Sequence, residues 1–305
     1  MTHLLGLLGV LSISFSAVFI RLAAVSPVTA VFFRAVYAVP VLLALWTWTR
    51  AGDRRDGPAR ALAFASGIVL ATDLACWHQS IGLVGAGLGT VIANVQVVFI
   101  AVLGWLLYDE RPTRRTVVVL LAVLTGIVLT SGLARQDAYG DAPVLGVVFG
   151  VLAGGFYAGY LLMFRAANRL GAPRAGPLLE STLGMALGAI LIAPIDGRFS
   201  LVPYWPAHGW LLALALVGQV LGWLLIVTAL ARLPALETSI LLLAQPVFAI
   251  VWGRLLFGEH MSVLQWSGTA LVLGGVAAIS GGDVTRPGRG ATPSHVSETN
   301  GPDRP

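Results

Sequence analysis

The sequence predicts an all-α integral membrane protein with ten transmembrane helices arranged as two inverted five-helix repeats. Three observations support this fold class. Of the 305 residues, 57% are hydrophobic and only 11% are charged, whereas soluble domains carry about 25% charged residues. The chain contains ten apolar segments long enough to cross a bilayer. The ends of the fourth and ninth segments also have similar sequences.

The ten predicted spans follow from helix geometry. About 20 apolar residues, at a rise of 1.5 Å each, cross a hydrocarbon core of roughly 30 Å. The spans are residues 3–24, 28–49, 61–83, 86–107, 117–134, 143–166, 176–195, 209–231, 235–257 and 264–281. The first has no arginine before its apolar core and another span follows at once, which favours a retained span over a cleaved signal peptide. Residues 282–305 are rich in Gly, Pro and polar residues, so we expect a disordered cytoplasmic tail.

The positions of the arginines predict the orientation in the membrane. The net charge of +5 comes entirely from arginine, and short cytoplasmic loops retain positive charge. With the N-terminus inside, most of the arginines fall on the inner side, among them Arg50, Arg54, Arg55, Arg60, Arg111, Arg114, Arg115, Arg165, Arg169, Arg174 and Arg232. Both termini are therefore expected to be cytoplasmic, in a multi-pass protein of the inner (plasma) membrane. The single cysteine, Cys76, excludes an intramolecular disulfide.

An internal repeat relates the two halves of the chain. The stretch "QVVFIAVLGWLLYDERPT" from Gln96 resembles "QPVFAIVWGRLLFGEHMS" from Gln245. This similarity predicts a duplicated five-span unit, with halves at residues 1–134 and 143–281. Because five is an odd number, the two halves enter the membrane in opposite senses. Secondary transporters share this plan and place the substrate site near the membrane midplane, between the repeats.

Four stretches resemble the drug/metabolite transporter superfamily, specifically its EamA-type ten-span members. They are "SPVTAVFFRAVYA" in the second span, "DLACWHQSI" in the third, "TVIANVQVVFIAVLGWLLYDERPT" in the fourth, and the ninth-span partner that ends in "LLFGEH". The resemblance covers nearly everything except the tail, as two EamA repeats, and implies solute transport by alternating access. The second half lacks a clear counterpart of residues 73–78, so we expect the two halves to have unequal roles.

Asp73 is the most informative single residue. It lies about 12 residues, or ~18 Å, into the third span, where an aspartate costs ~2.5 to 3.5 kcal/mol unless it is paired, protonated or facing water. Ser66, Trp77 and Ser80 share its helix face. This face is interpreted as a solute cavity, and the alternative is a structural contact with another helix. Arg34, ~9 Å deep in the second span, could form an ion pair with Asp73 or bind a substrate carboxylate.

The remaining candidate cavity residues are a histidine, four amides and three aromatic residues: His78, Asn94, Gln96, Gln219, Gln245, Tyr157, Tyr160 and Trp223. His78 is either a proton relay or a neutral histidine bonded to a neighbouring helix. The amides converge at one depth from spans four, eight and nine, which favours a shared cavity, although a single amide more often bonds a neighbouring helix. Pro246 predicts a kink. The aromatic residues either stack on a solute or pack.

Other features are interpreted as structural. Glu180 lies near a helix start, where the dipole favours a negative charge, and Glu110 and Glu259 are expected to cap or order the connections after the span ends. Glycines that recur every four residues predict close helix packing; they are Gly146, Gly150 and Gly154, Gly184 and Gly188, and Gly218 and Gly222.

The sequence favours a secondary transporter of small organic solutes that exports amino-acid-like or amphipathic metabolites. The alternative is a non-transporting membrane sensor or scaffold. The chain has no HExxH, GxSxG or Walker motif and no cysteine cluster, so we expect neither an intramembrane enzyme nor a bound cofactor or metal. The expected partners are a small-molecule solute and membrane lipids, with protons as the candidate coupling ion and no nucleic acid. Monomer and homodimer remain alternatives.

Overall fold

The computed structural model describes residues 2–108, 111–130, 140–168, 175–230, 235–280 and 285–286. These residues are mostly helical. The helices are α1 (Thr2–Ala23), α2 (Pro27–Thr49), α3 (Gly57–Ala93), α4 (Gln96–Tyr108), α5 (Arg114–Thr130), α6 (Pro143–Ala167), α7 (Ala175–Asp196), α8 (Ala207–Ala213), α9 (Trp223–Leu230), α10 (Ala235–Phe257) and α11 (Val263–Ser280). A π-helical stretch, Leu214–Gly222, connects α8 to α9. Two short strands pair antiparallel, β1 (Arg111–Pro112) and β2 (Thr285–Arg286).

Within the described ranges, six helical segments are long and apolar enough to cross a membrane: Leu4–Ala23, Pro27–Gly52, Gly57–Leu107, Pro143–Ala167, Ala175–Asp196 and Ala207–Ile226. Many large apolar side chains on the helices are exposed, such as Leu106, Val118 and Leu255, which fits a lipid environment. The predicted all-helical membrane class is therefore confirmed. Every predicted span overlaps a helix or consecutive helices, while ten crossings and an inverted repeat stay predictions. The predicted tail lies outside the described residues, apart from β2.

The backbone of helix α3 is broken at one glycine, Gly85. Gly85 has φ +88° and ψ 167°, a conformation that only glycine adopts readily. The break divides α3 into residues 57–84 and 86–93, at the connection predicted between spans three and four. A turn at Asn94 and Val95 then precedes α4, so the predicted span 86–107 consists of two helical pieces.

The regularly spaced glycines lie at close helix contacts. A Cβ added at Gly150 in α6 would lie 2.6 Å from Cγ2 of Ile92 in α3, and one at Gly222 would lie 2.6 Å from Cγ1 of Ile13 in α1. Such distances leave no room for a side chain, which confirms the packing interpretation. A buried apolar cluster between α1, α2, α3, α6, α7 and α8 includes Trp77 and Tyr160. The polar residues of the candidate site lie among these helices.

Candidate functional site

A buried arginine on α2 is the centre of the candidate site. Arg34 is 3% exposed, and its Nε donates a hydrogen bond to Oε1 of Gln219 at 2.8 Å. Nε2 of Gln219 in turn donates to Oγ1 of Thr182 at 3.3 Å. These three side chains join α2, the π-helical stretch and α7. Nη1 of Arg34 is buried and has no hydrogen-bond partner among the residues that the structure describes, so one strong donor remains available.

Asp73 provides the opposite charge from α3. It is 5% exposed, and its carboxylate interacts electrostatically with the guanidinium of Arg34. The described part of the chain contains no ion pair within 4.0 Å between these two residues and no hydrogen bond to the Asp73 side chain. Arg34 and Asp73 therefore do not form an ion pair within 4.0 Å in the described part of the chain, and both roles expected for Arg34 stay predictions. Buried charges normally need a partner, so the pair is suited to receive a polar ligand.

Aromatic side chains surround the two charges. The rings of Tyr157 and Tyr160 on α6 stack with centroids 5.8 Å apart, and Tyr160 meets Trp223 edge to face at 6.3 Å. Tyr160 is fully buried; its hydroxyl lies beside that of Ser181, although neither hydroxyl makes a hydrogen bond of standard geometry. Both tyrosines lie close enough to interact electrostatically with Arg34. Together these rings form an apolar surface beside the charged groups.

Trp77 and His78 lie on α3 near this site. Trp77 is one helical turn from Asp73, 7% exposed, and belongs to the same apolar cluster as Tyr160. Nδ1 of His78 lies 3.3 Å from the carbonyl oxygen of Pro27, at the start of α2. His78 therefore makes the bond to a neighbouring helix that was one of its two expected roles, while its Nε2 is buried without a hydrogen-bond partner in the described ranges.

Among the described residues, one of the four candidate amides contacts the charged cluster. Gln219 contacts Arg34 directly, whereas Nδ2 of Asn94 donates to the carbonyl of Thr90 in its own helix at 2.9 Å. Asn94 therefore ends α3 instead of facing a neighbour. Gln96 begins α4 and Gln245 lies inside α10; both are half-buried, and the described residues show no hydrogen bond between their side chains. The convergence of all four amides stays a prediction. Helix α10 continues through Pro246.

Sequence reasoning missed Thr182 and Tyr37 as neighbours of the site. Thr182 supports Gln219, and the Tyr37 hydroxyl, one helical turn from Arg34, lies 2.7 Å from Nδ1 of His208. A threonine and a tyrosine in apolar helices resemble ordinary packing residues. Their partners lie far along the chain, 171 residues away for Tyr37, so no local pattern indicates the contact.

Two of the glutamates interpreted as structural make long-range contacts. The Glu259 carboxylate accepts hydrogen bonds from the backbone N–H groups of Ala86 and Gly87 and from Arg21. It therefore caps a helix, as expected, but the helix is residues 86–93 in the other half of the chain. Glu180 lies 2.6 Å from Nη1 of Arg55, so its main partner is a side chain and not the start of its own helix. Glu110 lies outside the described residues.

The Glu180 contact belongs to a buried ion cluster before α3. Nη2 of Arg55 lies 2.9 Å from Oδ2 of Asp53, and both side chains are fully buried. The hydrogen bonds from Arg55 lower the pKa of Asp53 below its ordinary value, because they stabilise the ionised carboxylate. Arg60 adds a longer contact to Asp53 at 3.6 Å. The cluster holds the connection between α2 and α3 against α7.

Among the described residues no group of three or more His, Cys, Asp or Glu side chains could hold a metal ion.

The EamA-like transporter family matches residues 1–132 and 144–281 of the chain. The chain belongs to the EamA-like transporter family. This multi-pass membrane transporter is 28% identical over 224 residues to the uncharacterized transporter YwfM of Bacillus subtilis strain 168, covering 72% of this chain and 73% of YwfM.

Further similarities concern an archaeal protein and a solved structure. The EamA-like transporter is 25% identical over 223 residues to an uncharacterized transporter of Archaeoglobus fulgidus, covering 73% of this chain and 76% of that protein. A crystal structure matches with a TM-score of 0.58 at 19% identity, covering 91% of this chain and 95% of the other. This last similarity shows the fold alone, and the names of the relatives denote transporters.

Proposed function

We propose that this EamA-like transporter is a secondary transporter that exports amino-acid-like or amphipathic metabolites by alternating access, and that the solute binds at the Arg34–Asp73 cluster. The main supporting observation is the pair of buried opposite charges that do not contact each other directly. Nη1 of Arg34 has no hydrogen-bond partner among the described residues, and within the same ranges the buried Asp73 carboxylate interacts with Arg34 only electrostatically. A solute that carries a carboxylate and an ammonium group supplies both missing partners.

The surrounding side chains support an amphipathic solute. Gln219 fixes the Arg34 guanidinium through its Nε, which reduces the conformational entropy lost on binding. The rings of Tyr157, Tyr160 and Trp223 offer an apolar surface next to the charges. The chain contains no ATP-binding motif, so energy for uphill movement comes from an ion or solute gradient. Asp73 makes the proton the first coupling ion to test.

The experiment begins with a thermal-stability screen of the purified protein against amino acids, nucleosides and aromatic amines. Each solute that stabilises the protein is then tested for transport into vesicles of both orientations. We expect Arg34→Gln to weaken binding of carboxylated solutes at least about tenfold, since a charge-assisted hydrogen bond is lost. Arg254→Gln, which removes an arginine from the exposed surface, serves as the control. A solute that binds but is never moved contradicts transport and favours the sensor alternative.

A further inference from the structure

The Glu259 carboxylate joins three separate parts of the chain. It accepts hydrogen bonds from the N–H groups of Ala86 at 2.7 Å and Gly87 at 3.1 Å, and it forms an ion pair with Arg21 of α1. The Arg21 guanidinium also lies over the ring of Phe257, 4.3 Å from its centroid. Glu259 itself lies between α10 and α11 and is only 6% exposed. One carboxylate therefore ties α1 and α3 to the α10–α11 connection.

The break in α3 creates the binding site for this carboxylate. Residues 86–93 start a new helix, whose first N–H groups have no partner within the helix, and a negative charge is favoured at such a start. The preceding residue, Gly85, has no side chain to act as a cap. Glu259, 173 residues away along the chain, provides the missing acceptor.

The local backbone is shaped to admit the carboxylate. A Cβ at Gly85 would lie 2.7 Å from Cδ of Glu259, and one at Gly253 would lie 2.7 Å from the same atom. The backbone N–H of Glu259 also donates to the carbonyl of Gly253 at 3.1 Å. Gly85 in α3 and Gly253 in α10 therefore leave the space that the Glu259 carboxyl group occupies. This space exists only while the two helices remain together.

A second set of charges connects the same two halves at the far end of α3. Residues 57–84 separate the Arg55 cluster from Gly85 by roughly 40 Å of helix. Arg55 belongs to the first predicted half and its partner Glu180 to the second, as Arg21 and Glu259 do. A transporter that alternates its access must separate its halves at one end while the other end stays closed. Reversible contacts between the halves are then required at both ends.

We propose that Glu259 is the latch at its end of the helix bundle, closed by Arg21 and by the start of residues 86–93, and released when this end opens. The proposal rests on the proposed function, because opening at one end is a step of transport. The Arg21 side chain is 30% exposed while that of Glu259 is buried, and Arg21 lies at the end of a predicted span, where we expect it to be near water. Solvation of the separated charges therefore makes release possible without unfolding.

The first test measures opening directly, without a solute. Spin labels at Leu22→Cys and Val263→Cys, two exposed positions that flank the latch, report the distance between α1 and α11 in a Cys76→Ser background. We expect Glu259→Gln to raise the ratio of long to short distances about tenfold, because charge-assisted hydrogen bonds are lost. Arg254→Gln removes one charge, of opposite sign, from an exposed contact with His260 and should leave the distances unchanged; this charge has the same sign as the one removed by Arg21→Gln.

Arg21→Gln makes the same test if Glu259→Gln does not fold, because the two backbone bonds to Glu259 then remain. If both variants fold and keep the wild-type distances, Glu259 is a static helix cap and the latch is wrong. A merely structural role would lower the unfolding temperature without changing the distances in the folded protein.

The second test links the latch covalently. Arg21→Cys with Glu259→Cys in the Cys76→Ser background, joined by a cleavable bifunctional thiol reagent, should transport less solute while linked than after the reagent is cleaved. The control pair, Arg254→Cys with His260→Cys, links one segment to itself and should keep transport. Unchanged transport by the linked Arg21–Glu259 pair overturns the latch. If the spin labels show opening but the wild-type protein moves no solute, the proposed function fails while the latch remains a conformational device.

Discussion

At the scale of single residues, the main finding is that opposite charges are buried close together without direct contact. Arg34 donates a hydrogen bond to Gln219. Asp73 interacts with Arg34 electrostatically, without a hydrogen bond between them. The sequence indicated both residues because charge is expensive inside an apolar helix. It did not indicate Gln219 as the direct partner of Arg34, since 185 residues separate them and only the folded chain brings them together.

The first prediction concerns Asp73→Asn, which keeps the shape of the side chain but removes its titration. We expect the variant to fold, because the described residues form no hydrogen bond with Asp73 that asparagine would break. It should still bind solute through Arg34, but more weakly where the solute carries an ammonium group. Gradient-driven accumulation and its dependence on pH should be lost. Accumulation in vesicles, measured at several values between about pH 5.5 and 8.5, tests this. Wild-type transport by Asp73→Asn would make Asp73 a packing residue.

The double variant Asp73→Asn with Arg34→Gln distinguishes a structural pair from a binding pair. If the two charges serve only each other, removing both should restore stability and transport together. Because the structure shows no direct contact between them, we expect no recovery of transport. Thermal unfolding and vesicle uptake of the single and double variants provide the comparison.

The second prediction concerns Asp53 and acid. Its pKa is below the ordinary value of 3.8 because of its hydrogen bonds to Arg55. A lowered pKa in the folded state contributes stability that is present above pH 3.8 and is lost as the pH falls through the lowered value. Asp53→Asn should therefore be less stable than the wild type at neutral pH, and the difference should shrink in acid. Thermal unfolding from about pH 7 down to about pH 3 measures it; a constant difference would contradict this account.

At the scale of helices, apolar length predicts where the segments lie but not where they break. The predicted connection between residues 83 and 86 coincides with the Gly85 break. The second break, at Asn94 and Val95, falls inside the predicted span 86–107, which is apolar enough overall that hydropathy gives no sign of a break there. Hydropathy does not predict the π-helical stretch either, because this stretch is mostly apolar, like the α-helices on either side.

The third prediction concerns the backbone at Gly85. Alanine strongly disfavours φ +88°, and its Cβ would meet the Glu259 carboxyl group. We expect Gly85→Ala to destabilise the protein by about 1 to 3 kcal/mol. Gly57→Ala is the matched control, because a Cβ at Gly57 meets no atom within 4 Å. The unfolding temperatures of both variants are measured in the same detergent, and that of Gly85→Ala should be the lower. Equal temperatures would mean that the break tolerates a side chain.

At the scale of the whole molecule, composition and segment length predicted the helical membrane class, and the resemblance of four sequence stretches predicted the family. The contacts between the halves were not predictable. Arg21 meets Glu259 across 238 residues, and each is an ordinary charged residue near the end of an apolar segment. Which charges pair depends on how the helices pack, and a single sequence does not encode that packing in any local pattern.

The fourth prediction concerns topology. The arginine distribution predicts that both termini lie inside the cell. Reporter fusions placed after Arg55, after Ala138 and in the C-terminal tail should read inside, outside and inside. The measurement uses reporters that are active on only one side of the membrane. A tail that reads outside would mean an odd number of crossings and would remove the argument for two inverted halves of five spans.

The π-helical stretch, Leu214–Gly222, bears on how the gene could have evolved. A π-helix closes its hydrogen bonds one residue later than an α-helix, so it accommodates the insertion of one codon into a regular helix. Without that codon, the side chains before and after it would differ in phase by about 100°, and Gln219 would not face Arg34. Relatives that lack one residue in this stretch should therefore place a side chain other than Gln219 against Arg34. We expect these relatives to prefer different solutes from relatives that have the residue.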